Sequence, residues 1–322
     1  MGMESKYIWM NGEMVEFEKA TLHFLTPALH YGAAVFEGIR CYATEKGTAV
    51  FRLQEHVDRL LASARVFGFR DLPYTPAEIA KGVTAVVAAN EFNECYIRPL
   101  LYLTGGGWNL NVDMGKTGLA IAAWRWDNYL GPEALDKGIR ANVSSFTRHQ
   151  PNVMMTKAKV SGNYANSFLA KTESIRLGFD EAIMLNPQGF VAECTGENIF
   201  LVHHGRIVTP PLVDVLEGIT RDSLLTIAGD LGYTVVEQPI SRDQLYVADE
   251  VFVSGTASEV IGLSEIDFRR IGSGKTGPVT RSLQEAFQNA IHGRTDRYAG
   301  WLSPVYEAGM AFKMLDIPAL RK

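Results

Sequence analysis

The chain is poor in cysteine, in charge of one sign and in long apolar runs. Its 322 residues include three cysteines, Cys41, Cys95 and Cys194. They are widely spaced and odd in number, and they form neither a Cys-x-x-Cys pair nor a metal-ligand pattern. That argues against a disulfide framework and for a reducing, cytoplasmic setting. No stretch reaches the roughly 18–20 apolar residues of a membrane span. The opening MGMESKYIWMNGEMVEF has no apolar signal-peptide core, and Lys6 stands where a myristoylation site needs Ser or Thr. Net charge is −5 with no basic block, so neither nucleic acid nor a membrane is an expected partner. Internal repeats and low-complexity tracts are missing as well.

What is present is the balance of a globular chain, 47% hydrophobic and 21% charged, long enough for two domains. YIWMNGEMVEF reads as a hairpin around Asn11-Gly12, and AAVFEGIRCYAT as a further strand. Leu53, Val57, Leu60, Leu61 and Ala64 keep helical spacing. A second helix begins with Thr75 as N-cap and Pro76 at its first position. CYIRPLLYLT and GLAIAAWRW read as strands that close this half. WDNYLGPEALDKG breaks the periodicity, which predicts a small N-terminal domain over 1–124, a linker over 125–136 and a large domain over 137–322.

In the second half GIRANVSSFT reads as a strand. MTKAKV looks like another, ending at a Gly-Asn-Tyr turn before a helix in NSFLAKTESIRLG. EAIMLN and VAECTGENIFLV flank a Pro-Gln-Gly turn, and His204-Gly205 makes a hairpin. GITRDSLLTIAGDLGYTVVEQPI reads as a helix stopped at Gly232 and followed by a strand. ADEVFVSGTASEV is a strand ending in small residues, and GPVTRSLQEAFQNAIHG a final helix. Hairpins mixed with single helices, without regular alternation of strand and helix, predict an α+β fold.

Three places suit an anion. In EGITRDSLL, Gly218 permits close backbone approach and Thr220 is placed to cap a helix whose first N–H groups could meet a phosphate. SGTAS (254–258) can form a concave nest of N–H groups. Arg59 lies beside the apolar face of its helix, and a guanidinium donates two parallel hydrogen bonds to a phosphate. IGSGKTG (271–277) is not a P-loop, because Arg269 stands where its first glycine belongs; a hairpin loop is expected there. The Gly triplet of LTGGGWN lacks the dinucleotide spacing and reads as a loop.

Lys157 and Lys159 stand two apart in MTKAKVSGNYANS. Edge-strand lysines that discourage sheet pairing would account for both. A Schiff-base lysine would account for one, if the phosphate belongs to pyridoxal 5'-phosphate. Tyr164 then lies within reach across the turn. Glu193, on a strand where a lone carboxylate is costly, could pair with the pyridine nitrogen. Taken singly, each also suits an ordinary surface position.

With these residues in view, the chain resembles the branched-chain amino-acid aminotransferases of the class IV (fold type IV) family. HYGAAVFEGIRCY, KVSGNY, ECTGENIF, GITRDSLL and LYVADEVFVSGTASEV carry the likeness in the family's order, with GPVTRSLQEAF after them. The resemblance implies a two-domain fold, with a smaller N-terminal α/β sandwich and a larger C-terminal pseudo-barrel. It implies a ping-pong transamination between L-leucine, L-isoleucine or L-valine and 2-oxoglutarate, through pyridoxal 5'-phosphate on Lys159, with Lys157 a bystander.

By the same resemblance Arg59, Thr220 and Thr256 hold the phosphate, with the Ile219 and Thr220 N–H groups assisting. Glu193 pairs with the ring nitrogen, Tyr164 bonds the ring oxygen and Leu216 packs on the ring. Phe36, Gly38, Tyr96, Arg98, Trp126, Tyr129 and Ala257 line the substrate pocket, with Arg98 receiving a γ-carboxylate. Tyr31 comes from the neighbouring subunit of a homodimer, which could assemble further into a hexamer. D-amino-acid and (R)-amine transaminases share the lysine and glutamate regions but differ around residues 36–40. The tail SPVYEAGMAFKMLDIPALRK runs past the family's usual end and suggests no function.

Overall fold

The computed structural model describes residues 5–70, 72–106, 108–126 and 133–306. These form two compact units. The first takes the described residues up to Trp126, then Ala158–Gly162 and those from Asn289 onward; the second takes 133–157 and Asn163–Gln288. Most of the predicted linker (127–132, with Tyr129) and the tail from 307 lie outside the described residues.

The first unit is an eight-stranded antiparallel sheet. Its order is Leu302–Pro304, Gly47–Phe51, Ile39–Thr44, Cys95–Leu103, Thr117–Trp124, Tyr7–Met10 and Glu13–Glu16, with Ala34–Phe36 also paired to Cys95–Leu103. In Thr117–Trp124 the side chains of Leu119, Ile121 and Ala123 alternate inward, as a half-buried strand requires. They meet Val57, Leu60 and Ala64 of helix Leu53–Phe67 and Ile79, Val83 and Val86 of helix Pro76–Ala89 in one core. Thr75 caps the second helix as its sequence predicts, in a reciprocal capping box with Glu78.

The second unit is a nine-stranded, curled half-barrel sheet, so the fold is α+β. Its order is Val191–Cys194, Glu181–Leu185, Ile139–Val143, Glu259–Ile266, Glu250–Gly255, Asn198–His203, Arg206–Thr209 and Thr234–Glu237, with Arg269–Arg270 added to Glu259–Ile266. Three pairings are parallel, and parallel neighbours need a crossover. Helix Tyr164–Arg176 makes the one between Ile139–Val143 and Glu181–Leu185; helix Ile219–Asp230 makes the one between Arg206–Thr209 and Thr234–Glu237. Ile199, Leu201, Val251, Val253, Ile261 and Leu263 fill the core.

Several local expectations are corrected. AAVFEGIRCYAT is two strands, interrupted at Glu37-Gly38 where the Glu37 side chain turns into the interior. VAECTGENIFLV is likewise broken at 195–197 by a turn that Cys194 N–H closes onto Glu197 O at 2.8 Å. MTKAKV is not a strand: it runs through turns, and Val160 makes a single bridge to Val35. The loop 271–277 is no hairpin but leads into helix Pro278–Ile291, with the Thr276 hydroxyl donating to Leu135 O at 2.9 Å. No helix among the described residues is long and apolar enough to cross a membrane.

Candidate active site

The two lysines have different surroundings. Lys157, in the second unit, donates from Nζ to Leu212 O and sits 3.1 Å from Glu217 Oε1. Lys159, in the first unit, has its backbone fixed on both sides. Its N–H donates to Ser63 Oγ at 3.0 Å, and its carbonyl accepts from Phe36 N–H at 3.0 Å. Its ammonium stands 5.1 Å from the centre of the Phe36 ring, where the face of the ring attracts a cation.

Helix Leu53–Phe67 presents His56, Arg59 and Ser63 on its inner side, at helical spacing. His56 and Ser63 are buried. Arg59 grips Glu37 with two bonds, Nε to Oε1 at 2.7 Å and Nη2 to Oε2 at 2.9 Å. His56 Nδ1 lies 2.7 Å from Oε2; facing a carboxylate, that nitrogen carries the proton and donates. Burial pushes the Glu37 carboxyl up, but the Arg59 charge and the bonds from Arg59 and His56 outweigh it and hold its pKa far below the ordinary carboxylate range. His56 shifts down, since burial outweighs the attraction of Glu37, so it is neutral near pH 7.

Around the same strands lies an aromatic cluster. Arg98 sits 4.6 Å from the Phe36 ring centre and 5.2 Å from that of Tyr96, and its Nη2 donates to Tyr96 Oη at 3.0 Å. Its Nε is buried without a hydrogen-bond partner. Trp126 and Tyr96 pack with ring centres 5.1 Å apart. Gly38 leaves room for the phenol: a Cβ on it would lie 2.0 Å from Tyr96 Oη, so a larger residue requires Tyr96 to move. Tyr31 stands apart, 47% exposed at the end of helix Pro27–Tyr31, with its ring edge on Trp108.

The second unit assembles the acidic and anion-binding residues. Glu193 is 5% exposed, and its Oε1 accepts from Arg148 at 2.7 Å. Its Oε2 accepts from Leu216 N–H at 3.1 Å. Leu216 O in turn accepts from Asn198 Nδ2 at 3.1 Å, and Asn198 Oδ1 would lie 2.0 Å from a Cβ on Gly218. Asn198 is paired opposite Ser254, so the start of helix Ile219–Asp230 and the turn at 256–258 gather at one end of the sheet. The first helical bond runs from Asp222 N–H to Gly218 O, leaving the Ile219 and Thr220 N–H groups without intrahelical partners. Ser254 Oγ and Ser258 Oγ are buried and likewise unpartnered. Tyr164 opens helix Tyr164–Arg176, while Thr256 and Ala257 lie in the turn after Gly255.

One expected role changes. Thr220 does not cap its helix; Gly218 does, and Thr220 is the second helical residue with its side chain buried. Four participants escape a reading of the sequence. Glu37 stands inside a motif with no role of its own attached, and nothing local marks His56, Ser63 or Arg148, whose partners lie 19, 96 and 45 residues away. The donor set fits pyridoxal 5'-phosphate. A helix start and two unpartnered serine hydroxyls suit a phosphate. A carboxylate with about four acceptor positions can take a further donor beside Arg148 and Leu216.

This arrangement agrees with family identity. The profile of the family described as amino-transferase class IV matches residues 34–266, and the chain belongs to that family. Within it, the chain is similar to proteins named branched-chain-amino-acid aminotransferase. The one from Pseudomonas aeruginosa is 48% identical over 91% of this chain and 95% of its own. The one from Escherichia coli K12 is 44% identical over 94% and 98% respectively. Among solved structures, the T.th. branched-chain amino acid aminotransferase complexed with N-(5'-phosphopyridoxyl)-L-glutamate superimposes with a TM-score of 0.91. It is 46% identical, over 95% of this chain and 100% of that one. The same protein complexed with 4-methylvaleric acid gives a TM-score of 0.89 at the same identity and coverage.

Proposed function

We propose that this chain transfers the amino group of L-leucine, L-isoleucine or L-valine to 2-oxoglutarate, reversibly and by ping-pong exchange, with Lys159 as its reacting amine. It is a pyridoxal 5'-phosphate-dependent branched-chain-amino-acid aminotransferase. The observation that carries the choice of lysine is the contrast between the two candidates. Lys157 is engaged by a carbonyl and Glu217, whereas the backbone of Lys159 is fixed and its ammonium stands against an aromatic face.

When bound, the cofactor supplies a ring that stabilises the negative charge left on the substrate's α-carbon. Around it, Arg59, Thr220, Thr256 and the Ile219 and Thr220 N–H groups hold the phosphate, and Leu216 covers the ring. Arg148 holds the Glu193 carboxylate in place towards the ring nitrogen. Tyr164 donates to the ring oxygen. Lys159 Nζ takes the α-proton as general base. Phe36, Gly38, Tyr96, Trp126 and Ala257, with Tyr129 from outside the described residues, receive the branched side chain, and Arg98 pairs with the γ-carboxylate of glutamate. The T.th. relative supports both substrates, having been solved with a glutamate derivative and with a branched acid.

The exposed apolar side chains of Phe24, Leu25, Leu29 and Tyr31 support a homodimer in which Tyr31 serves the neighbouring subunit, and three free cysteines support a cytoplasmic location. The activity test is amino transfer from L-leucine, D-alanine and (R)-1-phenylethylamine to a 2-oxo acid acceptor. Turnover of L-leucine alone is expected. Preference for either of the others would make this a D-amino-acid or (R)-amine enzyme on the same scaffold.

A further inference from the structure

The assignment of Arg59 to the phosphate leaves the carboxylate opposite it unexplained. Glu37 has no solvent exposure, and well-packed apolar side chains of similar size commonly replace a buried ion pair without loss of stability. Stability alone is therefore a weak reason for this carboxylate. Its geometry offers a better one. Both oxygens face the Arg59 fork, at 2.7 and 2.9 Å, and a bidentate pair fixes the plane and the position of a guanidinium. Arginine carries much rotamer freedom, and the fork removes it before any ligand arrives.

Glu37 is itself restrained. His56, one turn before Arg59 on the same helix, donates to Oε2 at 2.7 Å, and Gly38 N–H approaches the same oxygen at 3.3 Å. Helix and strand break are thereby tied together at Arg59. The break in the sheet at Glu37-Gly38 is what lets the carboxylate reach it.

We infer that Glu37, braced by His56, is a positioning residue that holds the Arg59 guanidinium ready for the phosphate of pyridoxal 5'-phosphate. This rests on the proposed role of Arg59. It predicts an effect specific to the phosphate, which a merely structural ion pair would not give.

The test titrates the full-length chain with pyridoxal 5'-phosphate and, separately, with pyridoxal, which lacks the phosphate, following quenching of tryptophan fluorescence. The ratio of the two dissociation constants measures the preference for phosphate. Glu37→Gln should lower that preference about ten- to a hundredfold, the usual cost of losing a partner that orients a ligand-binding group, with pyridoxal affinity unchanged. Equal losses for both compounds, or no loss, would overturn the inference. Arg59→Ala, run beside it, separates the two ideas. If it loses the preference while Glu37→Gln keeps it, only the positioning role falls; if it keeps the preference, the Arg59 reading falls and takes this inference with it. Should Glu37→Gln fail to fold, His56→Leu retains the Arg59–Glu37 pair and removes its brace. A smaller loss of phosphate preference is then expected, and an unchanged ratio would again overturn the inference.

Discussion

Ser63 Oγ accepts the backbone N–H of Lys159 at 3.0 Å, from a position with no solvent exposure. A hydroxyl on helix Leu53–Phe67 thus sets the path of the chain at the proposed reacting lysine. Ser63→Ala leaves that N–H without its acceptor, at a cost of about 1–3 kcal/mol. Denaturant unfolding should register the loss. Steady-state kinetics with leucine should show kcat falling more than KM rises, because a displaced lysine impairs proton transfer rather than substrate binding. Wild-type values for both would make the contact incidental.

Lys159→Ala should abolish turnover and the visible absorbance of protein-bound cofactor, while Lys157→Ala keeps both. Borohydride reduction of the loaded wild-type enzyme, followed by peptide mapping, should place the label at residue 159. A label at 157 would reverse the assignment.

The Arg148–Glu193 pair predicts a graded response. Glu193→Gln removes the carboxylate proposed to pair with the ring nitrogen and should lower kcat on the order of a hundredfold, comparable to losing one preorganised electrostatic contact. Arg148→Leu leaves Glu193 with Leu216 N–H and should also speed cofactor loss on dilution, read by absorbance. Unchanged kcat in Glu193→Gln would argue against the pairing.

Two histidines should make the protein acid-sensitive. His56 is shifted down by burial, and His149 is lowered to about 4 by burial and by the Arg148 charge. A histidine whose folded pKa lies below its unfolded value binds more protons unfolded than folded. Its contribution to stability is therefore present above the ordinary 6.5 and lost as pH falls towards its folded value. Thermal midpoints should drop between pH 7 and pH 4.5, and His149→Asn should flatten that slope. An equally steep slope in the variant would move the effect to other groups.

Arg98→Met should raise KM for glutamate far more than for leucine, since only glutamate carries a second carboxylate for the guanidinium proposed to receive it. Equal changes would limit Arg98 to orienting Tyr96, to which it donates at 3.0 Å.

The sequence told most where one residue's environment depends on its near neighbours. The helical spacing of Leu53, Val57, Leu60 and Ala64, the Thr75 N-cap and the His204-Gly205 turn are all in place. It told least where burial defeats periodicity. Val191–Cys194 is buried on both faces, so alternation could not distinguish an inward Glu193 from an outward one. Thr220 looked like a cap by residue type, yet the helix starts two residues earlier, where Asn198 leaves room only for a glycine. Glu37, His56 and Ser63 depend on partners that only the folded chain brings together.

The path of the backbone has a consequence for synthesis. Strand Gly47–Phe51 pairs on one side with Leu302–Pro304, and the core of the first unit takes in Ala158 and Val160. A nascent chain that has emerged only through residue 126 therefore carries an uncovered strand edge and an incomplete interior. The long loop closure that brings Leu302–Pro304 onto Gly47–Phe51 must wait until residue 304 has been made. Until then that open edge is exposed to mispairing.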